Sequence, residues 1–265
     1  MFTNSQILLA FALTAIAGLS TGIGSLIALI AKKTNKNFLS ISLGFSAGIM
    51  IYVSFMEMMP TALAELSDVY GDKTGTLYLI LSFFAGIILI NIIDFAIPEN
   101  VNPHEAHGVE EMDNGAKLKR TGMMVALSIA IHNFPEGIAT FTSALNSLDV
   151  AIPITVAIAI HNIPEGIAVA VPIYHATGNR KKAFWYSFLS GLSEPLGALI
   201  AYLFLSQIWT PALNGIILAA VSGIMVFISL DELLPSAEKY GKHHLSIMGL
   251  VAGMMLMAFS LYLFV

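Results

Sequence analysis

The sequence contains no cysteine and very little charge. Its 265 residues include 12 Lys and Arg and 17 Asp and Glu, so that 11% of the chain is charged and 57% is hydrophobic. Soluble domains carry about 25% charged residues, and this composition therefore excludes an ordinary soluble domain. Without cysteine, disulfide bonds and thiolate metal sites are excluded as well.

Long apolar blocks take the place of the missing charge. A helix crosses the hydrocarbon core with about 20 apolar residues, and we predict eight spans, at 5–31, 38–63, 75–97, 121–145, 149–173, 181–206, 211–236 and 245–264. The alternating segments of about 10 residues that build a membrane β-barrel are missing. The first block lacks a basic start and is too long for a signal-peptide core, so we expect it to be retained. The predicted fold class is an all-α, polytopic membrane protein.

Lysine and arginine distinguish the two sides of this predicted bundle. Eleven of the twelve follow the first, third, fifth or seventh span, and only Lys73 falls on the other side. Basic loops remain in the cytoplasm. The sequence therefore predicts that both termini are extracytoplasmic.

Two internal repeats organise the chain. HNFPEGIA at 132–139 returns as HNIPEGIA at 161–168, on the fourth and fifth spans. The segment AGIMIYVSFMEMMPTALAE at 47–65 aligns without gaps with SGIMVFISLDELLPSAEKY at 222–240, on the second and seventh spans. In this alignment Gly48 matches Gly223, and Glu57 matches Glu232. The two members of each pair of segments lie on spans that run in opposite directions.

This pattern predicts a 3+2+3 arrangement with inverted repeats. We divide the chain into a first three-helix repeat (1–97), a cytoplasmic loop (98–120), a helix pair (121–173) and a second three-helix repeat (174–265). Inverted repeats are typical of secondary transporters, whose substrate site lies at midplane on the repeat interface. Small residues are expected to let the helix backbones approach each other, among them Gly18, Gly22, Gly191 and Gly197.

The octapeptides place polar side chains in the middle of apolar spans. Residues four apart share a helix face, so His132 is predicted to lie over Glu136, and His161 over Glu165. Each motif also contains a proline, which lacks an N–H group and bends the helix. The polar set is completed by Asn133, Asn162 and, beside a proline on the sixth span, Glu194.

Converging carboxylates within a membrane favour a bound cation. One ionisable residue at midplane costs at least about 2.5 kcal/mol, and several without a cation would cost more or be protonated. Imidazole, carboxylate and amide ligands suit zinc and its first-row neighbours, whereas calcium and magnesium prefer shells of oxygen alone. The alternative for a single His–Glu pair is an interhelical hydrogen bond, but two copies together with Glu194 favour a metal site.

Other polar residues have two open interpretations. Glu57, Asp231 and Glu232 lie near the predicted ends of the second and seventh spans, where they either form the entrance and exit of a pathway or simply face the membrane interface. His104 and His107, in the acidic loop at 98–120, either bind a cation weakly or belong to a solvated linker.

The paired HNxPEG motifs, with SGLSEP on the sixth span, resemble those of the ZIP metal-ion transporters. The resemblance covers essentially the whole chain. It implies eight helices in a bacterial inner membrane, rigid-body movement of one helix group against another, and inward movement of Zn(II), with breadth towards Fe(II), Mn(II), Co(II) or Cd(II).

The resemblance also implies a two-metal site between the fourth, fifth and sixth spans. One metal would be held by His132, Glu136, His161 and Glu165. The second would be held by Asn133, Asn162 and Glu194, and would share Glu136 and Glu165.

Two other function classes compete with transport. An intramembrane di-metal hydrolase or oxidase needs an open coordination position, and the sequence has no HExxH motif. A metal sensor that does not transport is the third class. The expected partners are divalent metal ions and the lipid bilayer, without nucleic acid, and a homodimer is one assembly that the sequence allows.

Overall fold

Eight long helices make up the part of the chain that the structure describes. The structure is a computed structural model that describes residues 2–30, 36–96, 115–205 and 207–264, and no strand occurs within these ranges. The helices are α1 (Asn4–Ile30), α2 (36–70), α3 (Asp72–Ala96), α4 (Gly115–Asn146), α5 (Leu148–Thr177), α6 (180–205), α7 (211–240) and α8 (His243–Phe264). His104 and His107 lie outside the described residues.

The helix lengths confirm a multi-pass membrane protein. Seven of these helices are long and apolar enough to cross a membrane, and α4, with 32 residues, is the eighth long helix. Most predicted ends fall within a few residues of the observed ones. The largest differences are the end of α2, at 70 instead of 63, and the start of α4, at 115 instead of 121, while α5 and α7 each end four residues later than predicted, at 177 and 240. Helices α2 and α7 continue past their apolar stretch because a helix does not have to end where the hydrocarbon does.

Each of these two helices contains one turn of π-helix. The π-turns are Ser54–Met58 in α2 and Ser229–Leu233 in α7, and each is followed closely by a proline, Pro60 or Pro235. Proline cannot donate its backbone hydrogen bond, and a wider π-turn accommodates such a break without ending the helix. The two π-turns occupy matching positions of the sequence repeat, since Ser54 aligns with Ser229.

Glycines bring α1 against α5 and α4 against α6. A Cβ atom on Gly24 would overlap the carbonyl of Ile163, and one on Gly197 would overlap the carbonyl of Phe134. Ile163 and Phe134 occupy the same position in the two octapeptides. These backbone contacts hold the motif-bearing helices close to their neighbours.

The second and seventh helices are packed in a corresponding way. A Cβ atom on Gly48 of α2 would overlap the carbonyl of Leu250 in α8, and one on Gly223 of α7 would overlap the carbonyl of Phe83 in α3. Gly48 and Gly223 occupy matching positions of the repeat, as the two π-turns do. Gly18 and Gly191, two of the glycines expected to allow close approach of helices, meet between α1 and α6.

Candidate metal site

The two octapeptides face each other across the contact between α4 and α5. His132 Nε2 lies 3.2 Å from Glu165 Oε2, and His161 Nε2 lies 3.4 Å from Glu136 Oε2. All four side chains are buried. Each histidine therefore pairs with the glutamate of the other helix, a partner that the four-residue spacing within one helix does not predict.

The antiparallel direction of α4 and α5 explains this crossed pairing. The four-residue spacing places His132 and Glu136 on the one face of α4 that meets α5. In the same way, His161 and Glu165 lie on the face of α5 that meets α4, and α5 runs in the opposite direction. The histidine of one motif then lies opposite the glutamate of the other. Both helices continue through their motif prolines, Pro135 and Pro164, so the two polar faces remain in register.

Glu194 joins this set from α6. Asn162 Nδ2 donates a hydrogen bond to Glu194 Oε1 and a second, of 3.1 Å, to the carbonyl of Ala17 in α1. Glu194 lies in the first turn of the segment Ser193–Ile200, directly after the helix is interrupted at Leu192. The sequence prediction that α6 contributes an acid beside the octapeptides agrees with this geometry.

Several polar atoms of the cluster are buried and have no hydrogen-bond partner among the described residues. Such atoms are rare in folded proteins, and each calls for an explanation, for example an ion. They include imidazole nitrogens and oxygens that can act as metal ligands, the mixture that suits zinc and its neighbours. The atoms are His132 Nδ1, both amide atoms of Asn133, Glu136 Oε1, His161 Nδ1, Asn162 Oδ1 and Glu194 Oε2.

The side chains do not yet form a ligand shell. Within the described ranges, no group of three or more His, Asp or Glu side chains is arranged so that it could hold a metal ion. The imidazoles and carboxylates that would be ligands are engaged with each other instead. Within the described residues, the cluster thus consists of paired side chains and not of a closed group around one point.

Ser46 of α2 is a contact that sequence reasoning missed. Its hydroxyl donates to the carbonyl of His161 over 3.2 Å and lies 3.4 Å from Glu165 Oε1. The equivalent residue of the second repeat is Val221, so the repeat gave no signal at this position.

Glu232 lies closer to the cluster than the sequence indicated. Its Oε2 is 4.0 Å from His132 Nδ1, and its side chain is buried. Glu57, Asp231 and Glu232 lie within the helices, because α2 and α7 continue to 70 and 240, beyond the predicted ends at 63 and 236. The side chain of Glu57 is partly exposed and that of Asp231 is exposed.

Comparison with known proteins identifies the family. The profile of the ZIP zinc transporter family matches the chain over residues 3–117 and 98–261. The chain belongs to the ZIP zinc transporter family. ZIP membership confirms the resemblance seen in the motifs and makes the chain a transporter, not an enzyme.

Three similar ZIP proteins are each named zinc transporter ZupT. The protein of Clostridium perfringens is 59% identical over 278 residues, which cover 98% of each chain. That of Streptococcus mutans is 61% identical over 263 residues, covering 99% of this chain and all of the relative. That of Nitratidesulfovibrio vulgaris is 52% identical over 276 residues and the full length of both.

Proposed function

We propose that this ZIP protein is a secondary transporter that moves Zn(II) into the cytoplasm across a bacterial inner membrane, through a binuclear site. The observation that carries the proposal is the pair of crossed His–Glu contacts buried between α4 and α5. The relatives named zinc transporters support zinc as the substrate. The excess of basic residues on one side supports termini that lie outside the cytoplasm.

The first ion is held by His132, Glu136, His161 and Glu165. The imidazoles and carboxylates of these four residues would be its ligands, and they already lie next to each other in pairs. Mixed nitrogen and oxygen ligands form a borderline environment that suits zinc. Because the ligands must be free of protons to bind a metal, arrival of the ion displaces any proton they hold.

The second ion is held by Asn133, Asn162 and Glu194, together with the shared Glu136 and Glu165. This set contains amide and carboxylate oxygens only, and harder oxygen ligands favour Fe(II) and Mn(II) relative to zinc. The second site accordingly broadens the range of metals, which extends to Co(II) and Cd(II). The unpartnered buried atoms of Asn133, Asn162 and Glu194 support this role.

The 3+2+3 arrangement is supported by corresponding contacts in the two halves. The π-turns and the glycine contacts of α2 and α7 recur at matching positions of the sequence repeat. Gly24 and Gly197 contact the same position in the two octapeptides. In such inverted repeats, transport proceeds as one group of helices moves against the other around the central site.

One asymmetry within this symmetry supports a pathway role for the outlying acids. Glu232 Oε2 lies 4.0 Å from His132 Nδ1, whereas the ion pair of His161 in the described part of the chain is made through Nε2, to Glu136. Neither Nδ1 atom has a hydrogen-bond partner there. The repeat equivalent of Glu232 is Glu57. In the opposite state of the transport cycle the two halves exchange conformations, and Glu57 approaches His161. Glu57 and Glu232, with Asp231 beside it, thus serve opposite mouths of the pathway.

The test is uptake of radiolabelled zinc by proteoliposomes that contain the purified protein. We expect uptake that saturates with zinc concentration and that liposomes without protein lack. A metal sensor would bind zinc without accumulating it in the lumen, so binding without uptake would refute transport.

A further inference from the structure

A second polar cluster lies where α2 and α4 end and α7 begins. Asn146 Nδ2 donates to Glu65 Oε1 over 2.5 Å, and Asn214 Nδ2 lies 2.9 Å from both oxygens of the same carboxylate. We call Glu65, Asn146 and Asn214 the Glu65 cluster. It joins three helices, and the octapeptides contribute none of its residues.

Asn214 has an atom that these hydrogen bonds leave unused. Its side chain is fully buried, and its Oδ1 has no hydrogen-bond partner among the residues that the structure describes. Half a turn about the last side-chain bond exchanges the amide nitrogen and oxygen. After that rotation, Oδ1 of Asn214 lies beside the Glu65 carboxylate, and the same rotation of Asn146 adds a second amide oxygen. The cluster then offers oxygen ligands alone, the kind that hard divalent cations prefer.

Two buried hydroxyl groups lie on α4 between the Glu65 cluster and the candidate metal site. Thr140 and Ser143 of α4 are fully buried, and their hydroxyl oxygens have no hydrogen-bond partner in the described residues. They lie between Glu136 and Asn146 at successive spacings of four, three and three, which keeps neighbouring members on one side of the helix. From Glu136 to Asn146 the helix rises about 15 Å. Polar side chains therefore recur along α4 from the cluster to Glu136.

In the sequence repeat, the positions equivalent to Glu65 and Asn214 do not preserve the Glu65 cluster. The alignment of the two repeats relates Glu65 to Tyr240 and, continued beyond the quoted segments, Asn214 to Leu39. Neither position provides a carboxylate. A device needed only for folding has no reason to be one-sided, whereas a site that receives ions from one side of the membrane does.

We propose that Glu65, Asn146 and Asn214 bind a partly hydrated divalent cation, which turns both amides so that their oxygens become ligands. The Asn146 side chain is exposed, so the ion can keep several water molecules there. We further propose that the cluster is the first binding site that the transported ion reaches. This pathway role rests on the proposed function, whereas binding of the cation does not.

Binding is tested with Mn(II) as the probe, in protein whose midplane ligands have been removed. Starting from Glu136→Ala/Glu165→Ala, we expect Glu65→Gln to lower the number of bound Mn(II) ions by one, measured as the loss of the free-ion electron paramagnetic resonance signal. The matched control is Asp68→Asn, since Asp68 is an exposed acid on the same helix. This control leaves the stoichiometry unchanged.

A second variant, designed to raise the affinity for Mn(II), shows whether misfolding explains the loss of binding. Asn214→Asp adds a second carboxylate to the cluster, and we expect it to bind Mn(II) at least about tenfold more tightly, because affinity rises with ligand charge. An unfolded variant cannot give this result. If Glu65→Gln changes thermal stability alone and Asn214→Asp does not tighten binding, the cluster is a structural clasp and the proposal is wrong. Retained zinc uptake in the starting variant would instead refute the midplane site and leave this comparison intact.

Discussion

At the residue scale, Glu136 and Glu165 are the side chains on which most of the chemistry converges. Each contacts the histidine of the opposite helix, and the proposed binuclear site assigns each of them to both ions. Glu165 also lies next to the Ser46 hydroxyl. No neighbouring side chain of the cluster is placed to take over all of these contacts if Glu165 is removed.

Replacing Glu165 with alanine should nearly abolish zinc uptake. The change removes a ligand from both proposed sites, and since loss of even a supporting residue near a metal costs about 10–100-fold, we expect a loss of at least about 100-fold. The measurement is initial uptake by proteoliposomes with matched protein content. The control is Asp149→Asn, an exposed acid at the start of α5, which should transport normally. Normal uptake by Glu165→Ala would refute the binuclear site.

The two sites should differ in the metals they govern. Replacing Glu194 with Gln, or Asn133 and Asn162 with Ala, alters a set of oxygen ligands, so uptake of Fe(II) and Mn(II) should fall more than uptake of zinc. His161→Ala removes a nitrogen ligand and should have the opposite effect. Competitive uptake of the three metals at equal free concentration measures these ratios. A uniform loss for all variants would show that the sites are not specialised.

The sequence predicts which residues form the buried cluster better than it predicts how they pair. Two His–Glu pairs in apolar helices indicate a buried cluster because lone ionisable residues are costly in a membrane. Whether a histidine contacts a glutamate on its own helix or on the opposite helix depends on how α4 and α5 pack. A local sequence pattern does not determine that packing. The same limit explains Ser46, which reaches Glu165 from 119 residues away in sequence.

At the element scale, α1 and α6 hold the octapeptides through backbone contacts that leave no room for a side chain. Gly24 of α1 lies against the Ile163 carbonyl, whereas Gly22, two residues earlier, faces the ring of Phe188. A ring can rotate away from an added methyl group, but a helix backbone can move only as a whole.

Gly24→Ala should therefore be more harmful than Gly22→Ala. Overpacking typically costs about 1–3 kcal/mol, and here it would also push α1 away from the helix that carries His161. We expect a lower midpoint of thermal unfolding in detergent and reduced zinc uptake for Gly24→Ala. Gly22→Ala is the matched control and should differ little from the unmodified protein. Equal effects of the two changes would contradict the close contact between α1 and α5.

Hydropathy predicts the helices well and their ends less well. The apolar blocks identify eight long helices because a membrane requires about 20 apolar residues for each crossing. The last turns of α2 and α7 are polar, and no local signal separates them from a loop. The π-turns at Ser54–Met58 and Ser229–Leu233 are indicated only indirectly, by a proline inside a helix in both repeats.

At the scale of the whole molecule, the transport cycle needs a source of energy. Moving one elementary charge across 100 mV is worth about 2.3 kcal/mol, and a divalent cation gains about twice that on entering a cell that is negative inside. The sequence contains no phosphate-binding loop of the GxxxxGK[ST] type. For the proposed secondary transporter, the membrane potential thus supplies a driving force for inward movement of the ion.

We accordingly expect zinc uptake in vesicles that contain no ATP. A potassium gradient with valinomycin sets the interior negative, and the initial rate should rise as the potential becomes more negative. Because binding of the metal displaces protons from its ligands, the rate should also change with external pH. Glu165→Ala vesicles, prepared identically, correct for leak across the lipid. A strict requirement for ATP would rule out a secondary transporter, whereas uptake that follows the zinc gradient but ignores the potential would mean that a compensating charge moves with each ion.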